Sequence, residues 1–246
     1  MAGPIIQKKD ADVTTLILNR PDVGNRQSDA ALAELTAMIA SAAKESRAIV
    51  LKGAGEDFCL GREAMGRPGP VMEAYSVRER SDVIFALYGA FRDAPIPIVG
   101  AVQGRAAGLG CALAALCDIT IASERARFQL PEMAHNIMPT IAMSALVDRL
   151  PRKAVAYLVY STREIDARTA LSFGLVSEVV APADLDGSID DLIGRMRQMP
   201  LPALLAVKEY ARSAFSMSTQ AANDFARNLH ATVNSFSGMR APASGR

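Results

Sequence analysis

The segment QGRAAGLGCALAALCD, residues 103–118, is the feature that most restricts what this chain can fold into. It places three glycines and a run of alanines directly after the apolar run IPIVGAV. Glycines at such a place let the backbone approach another group closely, and the first amides of a helix lack intrahelical partners. The segment therefore predicts a strand followed by a helix whose start binds an anion, or an oxygen that becomes one. Tight packing of a helix on a sheet is the competing interpretation, because small residues suit it equally well.

Composition limits the partners of such a site. A chain of 246 residues, half of them apolar, can bury one substantial core. Its 27 basic and 26 acidic side chains nearly cancel, so we expect neither a nucleic-acid partner nor an anionic membrane surface. Three cysteines and two histidines follow no zinc-like spacing, and we expect no metal and no disulfide framework. No apolar run approaches the roughly 20 residues of a membrane span, which together with the cysteine count favours a cytoplasmic protein.

Strand and helix patterns alternate along most of the chain, which predicts an α/β core. VTTLIL is typical of a strand, and Ser28 is a candidate cap for an amphipathic helix. Glycines and prolines predict a long loop over residues 58–70, followed by one helix over about residues 73–93. The final patterns are all helical. The sequence thus predicts a core over residues 1–182 and a helical C-terminal region over residues 183–246.

The motifs also bear on two other enzyme classes. The spacing of Gly104, Gly108 and Gly110 also fits the dinucleotide-binding turn of a short-chain dehydrogenase. However, the glycines lie about a hundred residues into the chain, and no tyrosine has a lysine four residues on. No Gly-x-Ser-x-Gly nucleophile elbow occurs either. Both a nicotinamide-dependent dehydrogenase and a serine hydrolase are therefore disfavoured.

Several segments, taken in order, closely resemble the enoyl-CoA hydratase/isomerase (crotonase) superfamily. They are NRPDVGN, FCLGREA, the stretch from IPIVGAV through FQLPE, IDARTALSFGLVSEVV and MPLPALLAVKE. The resemblance covers about residues 13–236 and implies an α/β fold made of a spiral of ββα repeats. It also implies a C-terminal α-helical region that serves oligomerisation, giving a trimer or a hexamer. The implied ligand is an acyl-CoA thioester, so coenzyme A enters as part of the substrate and no separate cofactor is expected.

The resemblance also implies an oxyanion hole made of two backbone N–H groups. Such groups stabilise the negative charge that develops on a thioester oxygen when an enolate forms. The matching positions are Arg62, after the Phe-Cys-x-Gly loop, and Leu109, in the glycine-rich turn. Leu109 stands where the family usually has a glycine, but a leucine keeps its amide donor.

Family hydratases carry two glutamates, and this chain keeps one of them. Ala112 occupies the first position and can neither protonate nor orient water, whereas Glu132 in FQLPE matches the second. A single glutamate favours isomerase-like transfer of an α-proton to the γ-carbon. The alternative for Glu132 is a surface ion pair with Arg125 or Arg127.

Several alternatives remain open at this stage. Hydration would need a replacement polar group, for which the candidates are His135 first, then Asn136, Glu63 and Asp57. Hydrolysis, decarboxylation and carbon–carbon cleavage would use the same oxyanion hole. A member that binds acyl-CoA without turnover is the alternative from another class. The residues expected to contact the acyl-CoA are Cys59, Gly61, Arg62, Arg67, Gly108, Gly110, Ala112 and His135.

Overall fold

The computed structural model describes residues 3–63 and 73–239. The first half contains β1 (Ile5–Asp10), β2 (Val13–Leu18), α1 (Asp29–Glu45), β3 (Ala48–Gly53), α2 (Ala74–Glu79), α3 (Asp82–Asp93), β4 (Ile98–Val102), β5 (Arg105–Ala107), α4 (Leu109–Leu116), β6 (Ile119–Ser123) and β7 (Arg127–Gln129). The second half contains α5 (Thr140–Leu146), α6 (Arg152–Ser161), β8 (Ile165–Asp166), α7 (Ala167–Ser172), β9 (Glu178–Val180), α8 (Leu185–Gln198), α9 (Leu201–Ala214) and α10 (Thr219–Ser235). Short 3-10 helices occur at Pro21–Val23, Glu132–His135, Pro182–Asp184 and Ser237–Met239.

The strands form two sheets. The larger has six strands in the order β1-β2-β3-β4-β6-β9, and only its β1–β2 pair is antiparallel. The smaller sheet has the order β5-β7-β8. Every residue of β4 is buried, as expected for a central parallel strand that is covered on both faces. Strand and helix therefore alternate as predicted, and the α/β core is confirmed.

Helix α1 begins where its capping residue predicted. The Ser28 hydroxyl accepts a hydrogen bond from the Ala31 amide at 3.3 Å, which satisfies one of the free donors of the first turn. Leu32, Leu35 and Ile39 follow at helical spacing and are buried. Helix α1 packs through this face against the sheet and against α3.

Two local predictions were wrong. The single helix expected over residues 73–93 is interrupted between α2 and α3. The Ser81 amide donates to the Arg78 carbonyl at 2.9 Å, three residues back and not four, and the Ser81 hydroxyl donates to the Val77 carbonyl. The strand β5 was not predicted inside the glycine-rich segment. Its three residues, RAA, pair in parallel with β7, a partner distant in sequence that local patterning does not indicate.

Helices cover both faces of the larger sheet. Helices α1, α3 and α4 cover one face with a large apolar cluster. The other face carries Val50, Val99 and Ile121, which pack with Ile189 and Ile193 of α8. The first helix of the C-terminal region therefore packs on the core sheet, and the predicted boundary after residue 182 stays a prediction. Within the described ranges, no helix is long and apolar enough to cross a membrane.

Candidate active site

The turn between β5 and α4 brings three segments of the chain together. A Cβ atom at Gly110 would lie 2.0 Å from the Cys59 carbonyl oxygen, so only glycine fits there. Gly108 has a φ of 53°, in the region that favours glycine, and a Cβ atom there would lie 3.1 Å from Oε1 of Glu132. Gly110 thus permits the close packing of a loop, and Gly108 makes room for the Glu132 carboxylate, whereas the binding of an anion at the helix start stays a prediction.

The backbone around Arg62 leaves its N–H group unused. In the parallel bridge between Gln27 and Arg62, the Gln27 amide donates to the Gly61 carbonyl at 3.1 Å, and the Glu63 amide donates to the Gln27 carbonyl at 2.9 Å. This pattern turns the N–H of the middle residue, Arg62, to the opposite side of the bridge. No residue in the described ranges accepts a hydrogen bond from it, so it can donate to a ligand.

The Leu109 N–H group is the second unused donor. Leu109 is the first residue of α4, and no described residue accepts a hydrogen bond from its amide. A Cβ atom at Gly61 would lie 3.4 Å from the Ala107 carbonyl oxygen. Gly61 directly precedes Arg62, and Ala107 lies two residues before Leu109, so this approach and the bridge between Cys59 and Ala106 place Arg62 and Leu109 on neighbouring segments.

The Arg62 side chain forms an ion pair at the start of α1. Its Nε donates to Oδ1 of Asp29, the first residue of α1, at 2.7 Å, and a second guanidinium nitrogen lies 2.5 Å from the same oxygen. The guanidinium group is thus held in an ion pair with Asp29 through Nε, its Nη2 forms no hydrogen bond with a described residue, and the backbone amide is free. This arrangement agrees with the expectation that Arg62 would act through its main chain.

Glu132 begins a 3-10 helix just after β7 and is half-buried beside the glycine turn. Its Oε2 is buried, and no atom of the described residues forms a hydrogen bond with it. Burial raises the pKa of Glu132, and its own backbone amide and the nearby His135 lower the pKa by less. A carboxylate in this state is available to accept a proton.

The alternative of a surface ion pair for Glu132 was wrong. Arg127 donates to the Ala126 carbonyl at 2.8 Å and to the Glu124 carbonyl at 3.2 Å. Among the described side chains, no ion pair joins Glu132 to Arg125 or Arg127.

The other position of the family's glutamate pair holds no acid or base. Ala112 is completely buried in α4, and its amide donates to the Gly108 carbonyl at 3.0 Å. Helix α5 packs on α4, and its buried residues are Ala142, Ala145 and Leu146.

The four polar groups expected to replace a glutamate are exposed or already paired. Glu63 forms an ion pair with an arginine of the NRP turn. Asp57 accepts a hydrogen bond from the Arg105 amide at 3.0 Å. His135 and Asn136 are both exposed at the end of the 3-10 helix. The structure therefore does not bring any of them into the buried part of the site.

Sequence analysis missed Tyr88, a buried residue of α3 that is 2% exposed. Burial raises its pKa, and the charges of Glu132 and Cys111 raise the pKa further. The available signal was its position on the apolar face of α3, between Leu87 and Phe91, because a buried tyrosine hydroxyl requires a polar neighbour.

The residues expected to contact the acyl-CoA are only partly described, because Arg67 lies outside the described residues. Arg78, another arginine that follows the predicted loop, lies in the last turn of α2. Arg26, which sequence analysis did not select, donates to the Leu60 carbonyl at 2.7 Å and lies against Gly61. An arginine therefore borders the main chain of the loop, although no motif pointed to it.

The three cysteines are not reactive groups. Cys59, Cys111 and Cys117 are buried, and burial raises the pKa of each thiol to about 12. In residues 3–63 and 73–239, no three His, Cys, Asp or Glu side chains are grouped so that they could hold a metal ion.

Solved structures share this architecture almost throughout. The crystal structure of an enoyl-CoA hydratase from Mycobacterium smegmatis superposes with a TM-score of 0.88 at 27% identity, covering 95% of this chain and 91% of that one. A protein of Thermobifida fusca, solved in complex with CoA, gives a TM-score of 0.83 at 28% identity, covering 93% and 92%. The chain therefore has the crotonase fold that its sequence motifs predicted.

Sequence comparison identifies the family. The enoyl-CoA hydratase/isomerase family model matches residues 8–241. The 2,3-dehydroadipyl-CoA hydratase of Escherichia coli is 33% identical over 222 residues, which are 88% of this chain and 85% of that protein. The short-chain-enoyl-CoA hydratase of Clostridium acetobutylicum is 31% identical over 201 residues, 78% of this chain and 74% of that protein. The chain belongs to the enoyl-CoA hydratase/isomerase family, a family of enzymes that act on acyl-CoA thioesters.

Proposed function

We propose that this enzyme forms the enolate of an acyl-CoA thioester, with Glu132 as its only acid/base group. The observation that carries the proposal is the buried, unpaired Oε2 of Glu132, whose other oxygen lies against Gly108 at the start of α4. A proton acceptor thus stands beside two free backbone donors. Coenzyme A enters as part of the substrate.

The Arg62 and Leu109 amides are proposed as the oxyanion hole. A thioester oxygen between them gains negative charge as the α-proton leaves, and both donors are already held by the backbone. Losing one such donor typically costs about 3 kcal/mol of transition-state stabilisation. The partial positive charge at the start of α4 acts in the same direction.

Glu132 is proposed to move one proton in an isomerase-like reaction. It removes a proton from the α-carbon of a 3-enoyl thioester, which leaves a dienolate, and it returns that proton to the γ-carbon. The double bond moves by one position, and no water is consumed. Burial supports this role, because it raises the pKa of the carboxyl towards the value of a competent base near neutrality.

The test is a screen of acyl-CoA thioesters in heavy water, followed by mass spectrometry. Isomerase-like transfer predicts deuterium exchange and movement of a double bond without the mass gain that the addition of one heavy-water molecule would give. Hydration, hydrolysis, decarboxylation and carbon–carbon cleavage each give a different product mass. If acyl-CoA binds tightly but neither exchanges nor reacts, the chain is a binding protein, and Ala112 marks a lost catalytic position.

We propose further that the enzyme self-associates as a trimer or hexamer through its last two helices. Helix α10 has no buried residue, and it packs mainly on α9. The groove between these helices is apolar and includes Val207, Leu229 and Val233. Phe215 at the end of α9 is 91% exposed. Apolar surface of this kind is typical of contacts between subunits.

A further inference from the structure

Asn25 is a polar residue that is completely buried beside the loop that leads to Arg62. It is 0% exposed, and its φ of 55° lies in the left-handed region that favours glycine and asparagine. Gly24 before it has a φ of 62°, so two successive left-handed residues follow the 3-10 helix Pro21–Val23. A buried amide is costly unless it is paired, so the partners of Asn25 indicate which segments it holds together.

The Asn25 side chain joins separate parts of the chain. Its Oδ1 accepts a hydrogen bond from the Arg20 amide at 2.8 Å. Its Nδ2 donates to the Ala54 carbonyl and to the Asp57 carbonyl, both at 2.8 Å. Ala54 directly follows β3, and Asp57 lies at the start of the loop that leads to Arg62. The side-chain amide therefore fixes the turn after β2 to the entrance of this loop.

The backbone on either side of Asn25 pairs with the same loop. The Leu60 amide donates to the Gly24 carbonyl at 2.8 Å. Two residues after Asn25, the Gln27 amide donates to the Gly61 carbonyl at 3.1 Å. Asn25 lies between these two contacts, so the conformation of this one residue decides whether both can form.

The Gly61 carbonyl and the Arg62 N–H belong to one peptide unit. Because a peptide unit is planar, a hydrogen bond that holds its carbonyl oxygen also fixes the direction of its N–H. The Gln27 amide supplies that hydrogen bond. A hydrogen bond to the carbonyl also polarises the peptide unit, which makes its N–H a stronger donor. The direction of the Arg62 N–H therefore depends on the segment that Asn25 holds.

We propose that Asn25 is a positioning residue of the oxyanion hole, which holds the segment from Gly24 to Gln27 so that the Arg62 N–H points at the thioester oxygen. The inference rests on the proposed function, because it takes this N–H as a donor to that oxygen. Asn25 is buried and acts through the peptide unit between Gly61 and Arg62. A donor that turns away from the oxygen stabilises less of the charge that develops there.

The experiment replaces Asn25 by glycine, which adopts the left-handed φ without strain and removes only the side-chain amide. The α-proton exchange of butyryl-CoA in heavy water should fall about 10–100-fold, the loss expected when a catalytic group is misplaced. Calorimetry with butyryl-CoA should give nearly unchanged affinity, because the N–H acts mainly on charge that develops in the transition state. The melting temperature should also fall, because the Ala54 and Asp57 carbonyls lose their donor.

A spectroscopic measurement separates positioning from folding. Butyryl-CoA that is isotope-labelled at its carbonyl carbon gives an infrared band, and the frequency of this band falls as hydrogen bonds to the oxygen strengthen. The intact protein should lower the frequency relative to the free thioester, and Asn25→Gly should lower it less. The matched control is Ile189→Val, in α8 on the other face of the larger sheet. It should lower the melting temperature but leave the exchange rate and the frequency unchanged.

A second variant acts on the same segment from outside the buried amide. In Gly24→Ala the new Cβ atom would lie 2.4 Å from Cδ1 of Leu60, so the loop has to move. This variant should reduce the exchange rate and the frequency shift in the same direction as Asn25→Gly. It decides the question if Asn25→Gly does not fold.

Several results would overturn the inference. One is exchange at the intact rate in Asn25→Gly, or in Gly24→Ala if only that variant folds. Another is slower exchange with an unchanged frequency shift, which would assign the Asn25 amide to folding alone. A loss of rate as large in Ile189→Val would do the same. Failure of the proposed function looks different, because then the intact protein does not shift the carbonyl frequency, or a folded Arg62→Pro keeps both the exchange and the shift.

Discussion

Replacing Glu132 by glutamine tests the acid/base assignment while keeping the shape of the side chain. The amide is isosteric with the carboxyl group, so Oε1 and its place beside Gly108 are retained. Only the ability to accept and return a proton is lost. A positioned general base contributes about 10²–10⁴-fold to a rate, which corresponds to about 3–5 kcal/mol in the activation barrier. We expect α-proton exchange of bound acyl-CoA in heavy water to fall by this factor.

The same substitution should also affect the stability of the fold, in a direction that follows from the raised pKa of Glu132. Burial raises the pKa of Glu132 in the folded protein above its value in the unfolded chain. The stability associated with this group is therefore fully present below the unfolded pKa and is lost as pH rises through the folded pKa. Glutamine has no such loss, so Glu132→Gln should melt at an equal or higher temperature at pH 7. In the intact protein, the exchange rate should rise with pH through the raised pKa and then level off.

The measurement needs a binding control and a matched variant. Calorimetry with the same acyl-CoA should give nearly unchanged affinity for Glu132→Gln, because the amide keeps the shape of the side chain and we expect the loop and the helix start to hold the coenzyme. Glu124→Gln, in an exposed ion pair with Arg168 at 2.9 Å, should exchange at the unmutated rate. If Glu132→Gln binds acyl-CoA normally and still exchanges at the unmutated rate, Glu132 is not the base and the mechanism is wrong.

Three further predictions concern the oxyanion hole, the turn and the assembly. Arg62→Ala should keep most of the rate in steady-state kinetics, since only the ion pair with Asp29 is lost. Arg62→Pro removes the N–H donor, so the same assay should show a loss of about 3 kcal/mol or more of transition-state stabilisation. Equal damage from both would instead show that the guanidinium group acts on a substrate carboxylate. Gly108→Ala should lose about 1–2 kcal/mol of stability in urea unfolding, because alanine is strained at the positive φ of this position. It should also lose activity, because its Cβ atom would lie 3.1 Å from Oε1 of Glu132. Normal activity would show that the turn is not near the reacting atoms. Light scattering at micromolar concentration should show a trimer or a multiple of it. Val207→Glu, in the groove between α9 and α10, should dissociate this oligomer. A monomeric intact protein would refute the proposed assembly.

The sequence by itself determined the fold class, the start of α1 and the positions of the candidate main-chain donors. These features depend on short-range physics. Ser28 caps its own helix within three residues, and the glycine at position 108 adopts its positive φ within a single turn. Glu132 could be selected for a similar reason, because it follows a short strand in a recognisable motif. Its catalytic role stays a proposal.

Tertiary structure alone decided which groups share the buried part of the site. Tyr88 and Glu132 are distant along the chain, and only the packing of α3 on α4 lets the charge of the carboxylate act on the pKa of the phenol. The local periodicity of α3 places Tyr88 on the same face as Ile84, Leu87 and Phe91, but it carries no information on the neighbours of that face in the fold. Likewise, the Arg62 amide is free because a bridge to Gln27 turns it outward. The packing of α8 on the second face of the larger sheet is a further contact between distant segments. Such contacts depend on how distant segments pack, which the spacing of residues within one segment does not specify.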